Sequence, residues 1–132
     1  MSSDKTSKGR VLVADDDPAI LRLVKAILEK EGFTVVTARD GKEAYKALQD
    51  DSKFTAAVFD VVMPHITGPD LVRHMKTEKR FMNIPVMMMT AEQDPKLSRD
   101  SFAAGAVVFL PKPFTTSQLQ TMLRMLVGRT KS

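Results

Sequence analysis

Three adjacent aspartates, Asp15, Asp16 and Asp17, follow an apolar run, "VLVA" at Val11–Ala14. Asp60 follows a second run, "FTAAVF" (Phe54–Phe59); Thr90 closes a third, "PVMMMT"; Lys112 comes just after a fourth, "AVVFL" (Ala106–Leu110). Neighbouring like charges repel, and desolvation worsens the repulsion. A fold keeps such a cluster in open water, at a helix cap, or around a cation. Hard oxygens with no His or Cys beside them favour Mg2+ over zinc or copper. An Mg2+ ion, a lysine and a hydroxyl around one carboxylate suit the binding and transfer of a phosphoryl group. Asp60 stands alone after its run and is the candidate nucleophile, going to an aspartyl phosphate. All of this requires the four positions to meet in space.

The chain alternates short apolar runs with segments of helical period. Arg10–Ala14 reads as a strand. Ile20, Leu21, Val24, Ile27 and Leu28 then fall on one helical face, with Pro18 in the first turn and Gly32 as the stop. Phe33–Ala38 is the second strand, and "DGKEAYKALQ" the second helix, with Asp40 and Glu43 spaced as a capping box. Phe54–Phe59 is the third strand. A loop from Asp60 to Thr67 leads to a helix from about Pro69 to Lys79 with Leu71, Val72 and Met75 as its apolar face. Pro85–Thr90 is the fourth strand, in which Met87, Met88 and Met89 read as core filler. Asp94-Pro95 opens a helix that Gly105 closes; Ala106–Leu110 is the fifth strand. The last helix starts from Thr115, with Gln118 three residues on. It buries Leu119, Met122, Leu123 and Leu126, and ends at Gly128.

Five strand–helix units in strict alternation specify a parallel sheet covered by helices on both faces, a doubly wound α/β domain. Ligands bind such sheets beyond the carboxyl ends of the strands, where the strand order reverses. With order 2-1-3-4-5 that point lies between strands one and three. Strand one then delivers Asp15–Asp17, strand three Asp60, strand four Thr90 and strand five Lys112. Strand two ends in Ala38 and Arg39 and offers no comparable group.

The 132 residues suit one domain with its own core. Residues 1–9 are expected to be a flexible N-terminal tail, 10–128 the domain and 129–132 a short C-terminal tail, with no output domain attached. The chain has no cysteine, which removes disulfides and thiolate metal sites. No apolar run is long enough to span a bilayer, and "MSSDKTSKGR" has no hydrophobic segment that would make it a secretory signal. The net charge is +4, but its basic residues are scattered. The cluster "KTEKR" (Lys76–Arg80) falls where a helix should end and complements its dipole, which favours a solvated helix end over a nucleic-acid surface.

Asp15-Asp16, "FDVVMP" with Asp60, Gly68, "MTA" with Thr90, and "LPKPF" with Lys112-Pro113, in this order and spacing, resemble the receiver domain of two-component response regulators. The resemblance runs from about Arg10 to Val127, and as a lone domain the chain is similar to the chemotaxis-type regulator. It implies a flavodoxin-like, five-stranded fold of order 2-1-3-4-5 with five helices. It implies that Asp60 accepts a phosphoryl group from a histidine kinase or histidine phosphotransfer protein. Asp16, Asp60 and the Val62 backbone carbonyl would ligate Mg2+, with Asp15 acting directly or through water. Lys112 would pair with the phosphoryl oxygens and Thr90 would swing towards them. Ala91 leaves the phosphoryl group room, and Phe109 holds the place of the aromatic that turns inward on activation. Val62 and Glu92 hold the positions that tune phosphoryl lifetime, and an apolar Val62 predicts slow self-hydrolysis. Pro64 and Gly68 are structural, and Lys112–Pro113 is expected to be cis. The implied protein is a cytoplasmic switch that catalyses only its own phosphorylation and dephosphorylation. Its target would bind the face of strand five and the last two helices, with no direct nucleic-acid binding and no membrane insertion, as a monomer or weak dimer.

Each residue also has a plainer reading. Asp17 before Pro18 is the N-cap of the first helix; Asp15 and Asp16 taken alone are caps too, and Asp60 alone begins a turn. Thr90 can satisfy a nearby backbone group, Lys112 between prolines is a loop lysine, and Phe109 is core. His65 and His74, one on a loop and one on a helix, make no ligand pair. A phosphorelay intermediate or the receiver fragment of a hybrid kinase fits the same residues. An aspartyl-phosphate phosphohydrolase usually carries a second acid two residues after the nucleophile, where Val62 stands. A flavin site would set three acids against an anionic cofactor, and a pseudo-receiver would lack acceptor-site residues that are present here.

Overall fold

The structure, a computed structural model, describes residues 7–91, 95–106 and 108–128. The elements run β1 (Arg10–Ala14), α1 (Pro18–Lys30), β2 (Thr34–Ala38), α2 (Gly41–Asp50), β3 (Ala56–Asp60), α3 (Gly68–Lys76), β4 (Val86–Thr90), α4 (Pro95–Ala104), β5 (Val108–Pro111) and α5 (Thr116–Gly128). All strands are parallel, in the order β2-β1-β3-β4-β5. This is the expected doubly wound, flavodoxin-like α/β architecture.

Alternate side chains of the central strands feed two cores, because successive residues of a strand face opposite sides. Val11, Val13, Val58, Met87, Met89 and Leu110 pack with Leu21, Val24 and Leu28 of α1 and Leu119, Leu123 and Leu126 of α5. Leu12, Ala14, Phe59 and Met88 pack on the other face with Ala44 and Leu48 of α2, Leu71, Val72 and Met75 of α3 and Ala104 of α4. The three consecutive methionines are thus fully buried and divided between the faces. Residues buried on both sides of a parallel sheet need no polar alternation, so these strands read as unbroken apolar runs.

The helix starts follow side-chain chemistry. Asp17 accepts from the Ala19 N–H at 2.9 Å and caps α1. Thr115 and Gln118 satisfy each other's backbone N–H at 3.0 and 2.9 Å, a full capping box at α5. At α2 the box is only half as expected. Asp40 accepts from the Glu43 N–H at 2.9 Å, but Glu43 reaches past Asp40 to the Arg39 N–H at 2.8 Å, drawn there by the Arg39 guanidinium.

Several boundaries differ from expectation. Helix α3 stops at Lys76 rather than Lys79. The next positions on its buried stripe after Met75 are Glu78 and Lys79, so another turn would press charges onto the sheet. The chain instead turns, with the Thr77 hydroxyl donating to the His74 carbonyl at 2.7 Å, and Phe81 enters the core. Strand β3 runs from Ala56 to Asp60, so Asp60 is its last paired residue, opposite Met89, rather than the first of a loop. Strand β5 runs Val108–Pro111, with residue 107 outside the described residues.

Candidate functional site

β1 pairs with β2 on one side and β3 on the other, so the strand order reverses between β1 and β3 and a crevice opens at their carboxyl ends. Asp15 is the first residue past β1. Its N–H donates to the Ala38 carbonyl at 3.1 Å, which fixes it to the sheet edge, and it is fully buried. One carboxylate oxygen accepts from the Asp17 N–H at 2.9 Å; the other accepts from Lys112 Nζ at 2.7 Å. Asp15 therefore does local turn work and also meets a charge from β5. Asp16 is exposed, and Asp17 is occupied as the cap of α1.

Asp60 is 6 % exposed, and its Oδ2 lies 3.6 Å from Lys112 Nζ. Carboxylate oxygens of Asp15, Asp16 and Asp60 all come within 4.8 Å of one another. Burial pushes the Asp60 carboxyl up to about 6; the Asp15 charge adds to this, Lys112 opposes it, Asp16 adds again, and the Val62 N–H opposes by donating to the carboxylate. Burial works against the charge on Lys112, but its hydrogen bond to Asp15 and the nearby Asp60 charge outweigh it, so its pKa stands above the ordinary lysine value. Three carboxylates facing one ammonium leave two uncompensated negative charges in a confined crevice. The donor set is all hard oxygen, so it fits a divalent cation of the magnesium type.

The other expected site residues are placed as follows. Thr90 ends β4, is buried, and its carbonyl accepts the Lys112 N–H at 2.8 Å, which ties the lysine's backbone to β4. Ala91 follows it and is exposed. Val62 is 54 % exposed on the β3–α3 loop. Pro64 accepts the Ile66 N–H at 2.8 Å, and the Gly68 N–H donates to the Val61 carbonyl at 2.9 Å. A Cβ at Gly68 would sit 2.5 Å from the Asp60 carbonyl and 3.1 Å from Met88 Sδ, so the end of this loop has no room for a side chain. The Lys112–Pro113 peptide is cis. Phe109 is half-buried on β5, its ring centroid 6.1 Å from that of the exposed Phe102 on α4. Glu92 lies outside the described residues.

Two placements were not visible beforehand. His65 and His74, unconnected in the sequence, line one groove of about 280 Å³ with Tyr45, Ile66, Asp70 and Leu71; the His74 ring meets Tyr45 edge-on at 4.8 Å. Gly41, at the start of α2, packs so closely on the β3–α3 loop that a Cβ there would lie 2.6 Å from Ile66 Cβ. No local signal links positions 41 and 66. Another groove, of about 470 Å³, lies among Lys8, Glu31, Phe33, Leu123, Arg124 and Val127, beside the start of β2 and the end of α5. The acids line neither of these two grooves.

Response regulator MprA of Mycobacterium ulcerans (strain Agy99) is 34 % identical over 122 residues, covering 92 % of this chain and 51 % of its own length. The transcriptional regulatory protein CpxR homolog of Haemophilus influenzae is 33 % identical over 123 residues, covering 93 % and 52 %. The chain thus spans about half the length of these curated relatives. Among solved structures, the chemotaxis response regulator CheY4 of Vibrio cholerae superposes with a TM-score of 0.83 at 32 % identity, over 89 % of this chain and 97 % of its own. The signal receiver domain of a signal transduction histidine kinase from Syntrophus aciditrophicus gives a TM-score of 0.84 at 30 % identity, over 93 % and 92 %. With residues 11–124 matching its family model as well, the chain belongs to the response regulator receiver domain family.

Proposed function

We propose that this chain is a phosphorylation-dependent switch in which Asp60 accepts a phosphoryl group from the phosphohistidine of a kinase or phosphotransfer protein. The observation that carries the reading is the meeting of Asp15, Asp16 and Asp60 with Lys112 at the strand-order reversal. An Asp60 oxygen attacks phosphorus in line; the new O–P bond forms as the donor's P–N bond breaks, and the imidazole leaves with the bonding pair and takes a proton from water. Lys112, already beside both acids, is placed to meet the phosphoryl oxygens, and Thr90 supplies a hydroxyl at the next strand end. Asp15, Asp16, Asp60 and the Val62 carbonyl are the groups assigned to Mg2+, which supplies charge neutralisation for the transferring group.

The readout surface in this reading is the α4–β5–α5 face. Phe109 touches Phe102 there, and both Phe102 and Met125 are exposed large apolar residues that a target can cover. Thr90 and Phe109 would couple pocket and face as two states of one element, biased by the phosphoryl group. The chain would act as a cytoplasmic regulator without metabolic turnover, as monomer or weak dimer, and without direct nucleic-acid contact. Among the described residues no helix is long and apolar enough to cross a membrane. A second reading, the receiver segment of a hybrid kinase or a relay intermediate, is favoured by the similarity to the Syntrophus kinase receiver, and uses the same acceptor chemistry.

The test is incubation with Mg2+ and acetyl phosphate, followed by intact mass. The parent should gain one phosphoryl group and Asp60→Asn none; equal labelling of both would remove Asp60 as acceptor. Transfer from a purified histidine phosphotransfer protein, with or without back-transfer, separates a terminal switch from a relay intermediate.

A further inference from the structure

We infer that Gly41, at the first turn of α2, is a positioning residue for the Asp60 nucleophile, acting through Ile66 and the β3–α3 loop; this rests on Asp60 being the phosphoacceptor. The loop is held at its base by the sheet, since the Val61 N–H donates to the Met89 carbonyl at 2.8 Å and the Gly68 N–H to the Val61 carbonyl at 2.9 Å. Its middle carries Val62, whose backbone N–H favours the charged form of the Asp60 carboxylate. Its outer side rests on α2. A Cβ at position 41 would fall 2.6 Å from Ile66 Cβ and still nearer the Ile66 carbonyl oxygen, and real Cβ atoms do not approach that closely. The neighbour in question is backbone, so it can yield only by moving the loop.

The start of α2 is stiff enough to act as a stop. Asp40 accepts from the Glu43 N–H, and Glu43 is held by the Arg39 N–H and guanidinium, so three side chains fix this turn. Ile66 is partly buried against the core shared with α2 and α3, so the loop cannot swing outward freely. The absence of a side chain at position 41 therefore sets how deeply the loop seats, and through Val62 how the Asp60 oxygens are aimed. Nucleophile alignment is sensitive to displacements of an ångström or less.

Gly41→Ala is compared with the parent in acetyl phosphate labelling at saturating Mg2+, beside Ala44→Gly. The latter weakens α2 from its buried face and leaves position 41 unchanged, and both variants are matched by thermal midpoint. The expected result is a labelling rate lowered about fivefold or more in Gly41→Ala, with Ala44→Gly near parental. A parental rate in Gly41→Ala, or an equal loss in both variants, overturns the inference while leaving Asp60 as acceptor. If Gly41→Ala does not fold, Ile66→Ala decides from the other side of the contact: slowed labelling supports the brace and a parental rate refutes it. A parent that takes no phosphoryl group overturns the acceptor reading and this inference together.

Discussion

Replacing Asp60 by asparagine removes a negative charge from a side chain that is 6 % exposed and faces two other carboxylates. The folded state raises this carboxyl from 3.8 to about 6, through burial first and then the Asp15 charge, even with Lys112 attracting it. A group whose pKa rises on folding binds protons more tightly when folded, so its ionisation destabilises the fold. The penalty is absent below about pH 3, grows between about pH 3 and 6, and levels off above about pH 7 at about 3 kcal/mol. Asp60→Asn, uncharged at every pH, should therefore be more stable than the parent by about 3 kcal/mol near pH 8 in EDTA, or roughly 10 °C in melting temperature. The gain should shrink to near zero at about pH 3, where the parent's carboxyl is largely protonated in both states. Magnesium should then close the gap at about pH 8, because the parent retains all three acids and binds it the more tightly. Urea titrations of both proteins across this pH range measure it. A gain that persists unchanged at low pH, or no gain at high pH, would show that the three acids do not strain one another as their spacing requires.

Three further outcomes are expected. Lys112→Met leaves the buried Asp15 carboxylate without the ammonium 2.7 Å away, and should lower stability by about 3 kcal/mol near neutral pH as well as slow labelling; an unchanged urea midpoint would mean that the pair contributes nothing. Asp17→Ala removes only the cap of α1, so a loss of about 1 kcal/mol with unaltered magnesium affinity is expected, and weakened metal binding would place Asp17 in the site after all. Val62 is 54 % exposed at the mouth of the crevice, so Val62→Asn should leave the fold intact while giving an attacking water a partner. The phosphoprotein should then decay about tenfold faster, the worth of one well-made hydrogen bond, and equal or slower decay would refute this role for the side chain.

The alternation of apolar runs and helical stripes was legible because each is a local consequence of backbone period, and a sheet buried on both faces leaves its strands without polar residues. The chain ends of those runs exposed Asp15, Asp16, Asp60, Thr90 and Lys112 as polar groups at strand tips, and their order and spacing identified the family. Helix caps such as Asp17 and Thr115 were legible for the same local reason. The end of α3 was not, because it depends on where Phe81 finds its core. Which nitrogen meets which oxygen also depended on the folded chain: Lys112 lies 97 residues from Asp15 along the chain, and the parallel register of β1, β3, β4 and β5 brings their tips together. The raised Asp60 carboxyl, the groove shared by His65 and His74, and the seating of Ile66 on Gly41 are likewise properties of distance between elements. Residue type and period act along the chain, whereas desolvation, charge repulsion and steric contact act across space, and only the packed fold sets those distances.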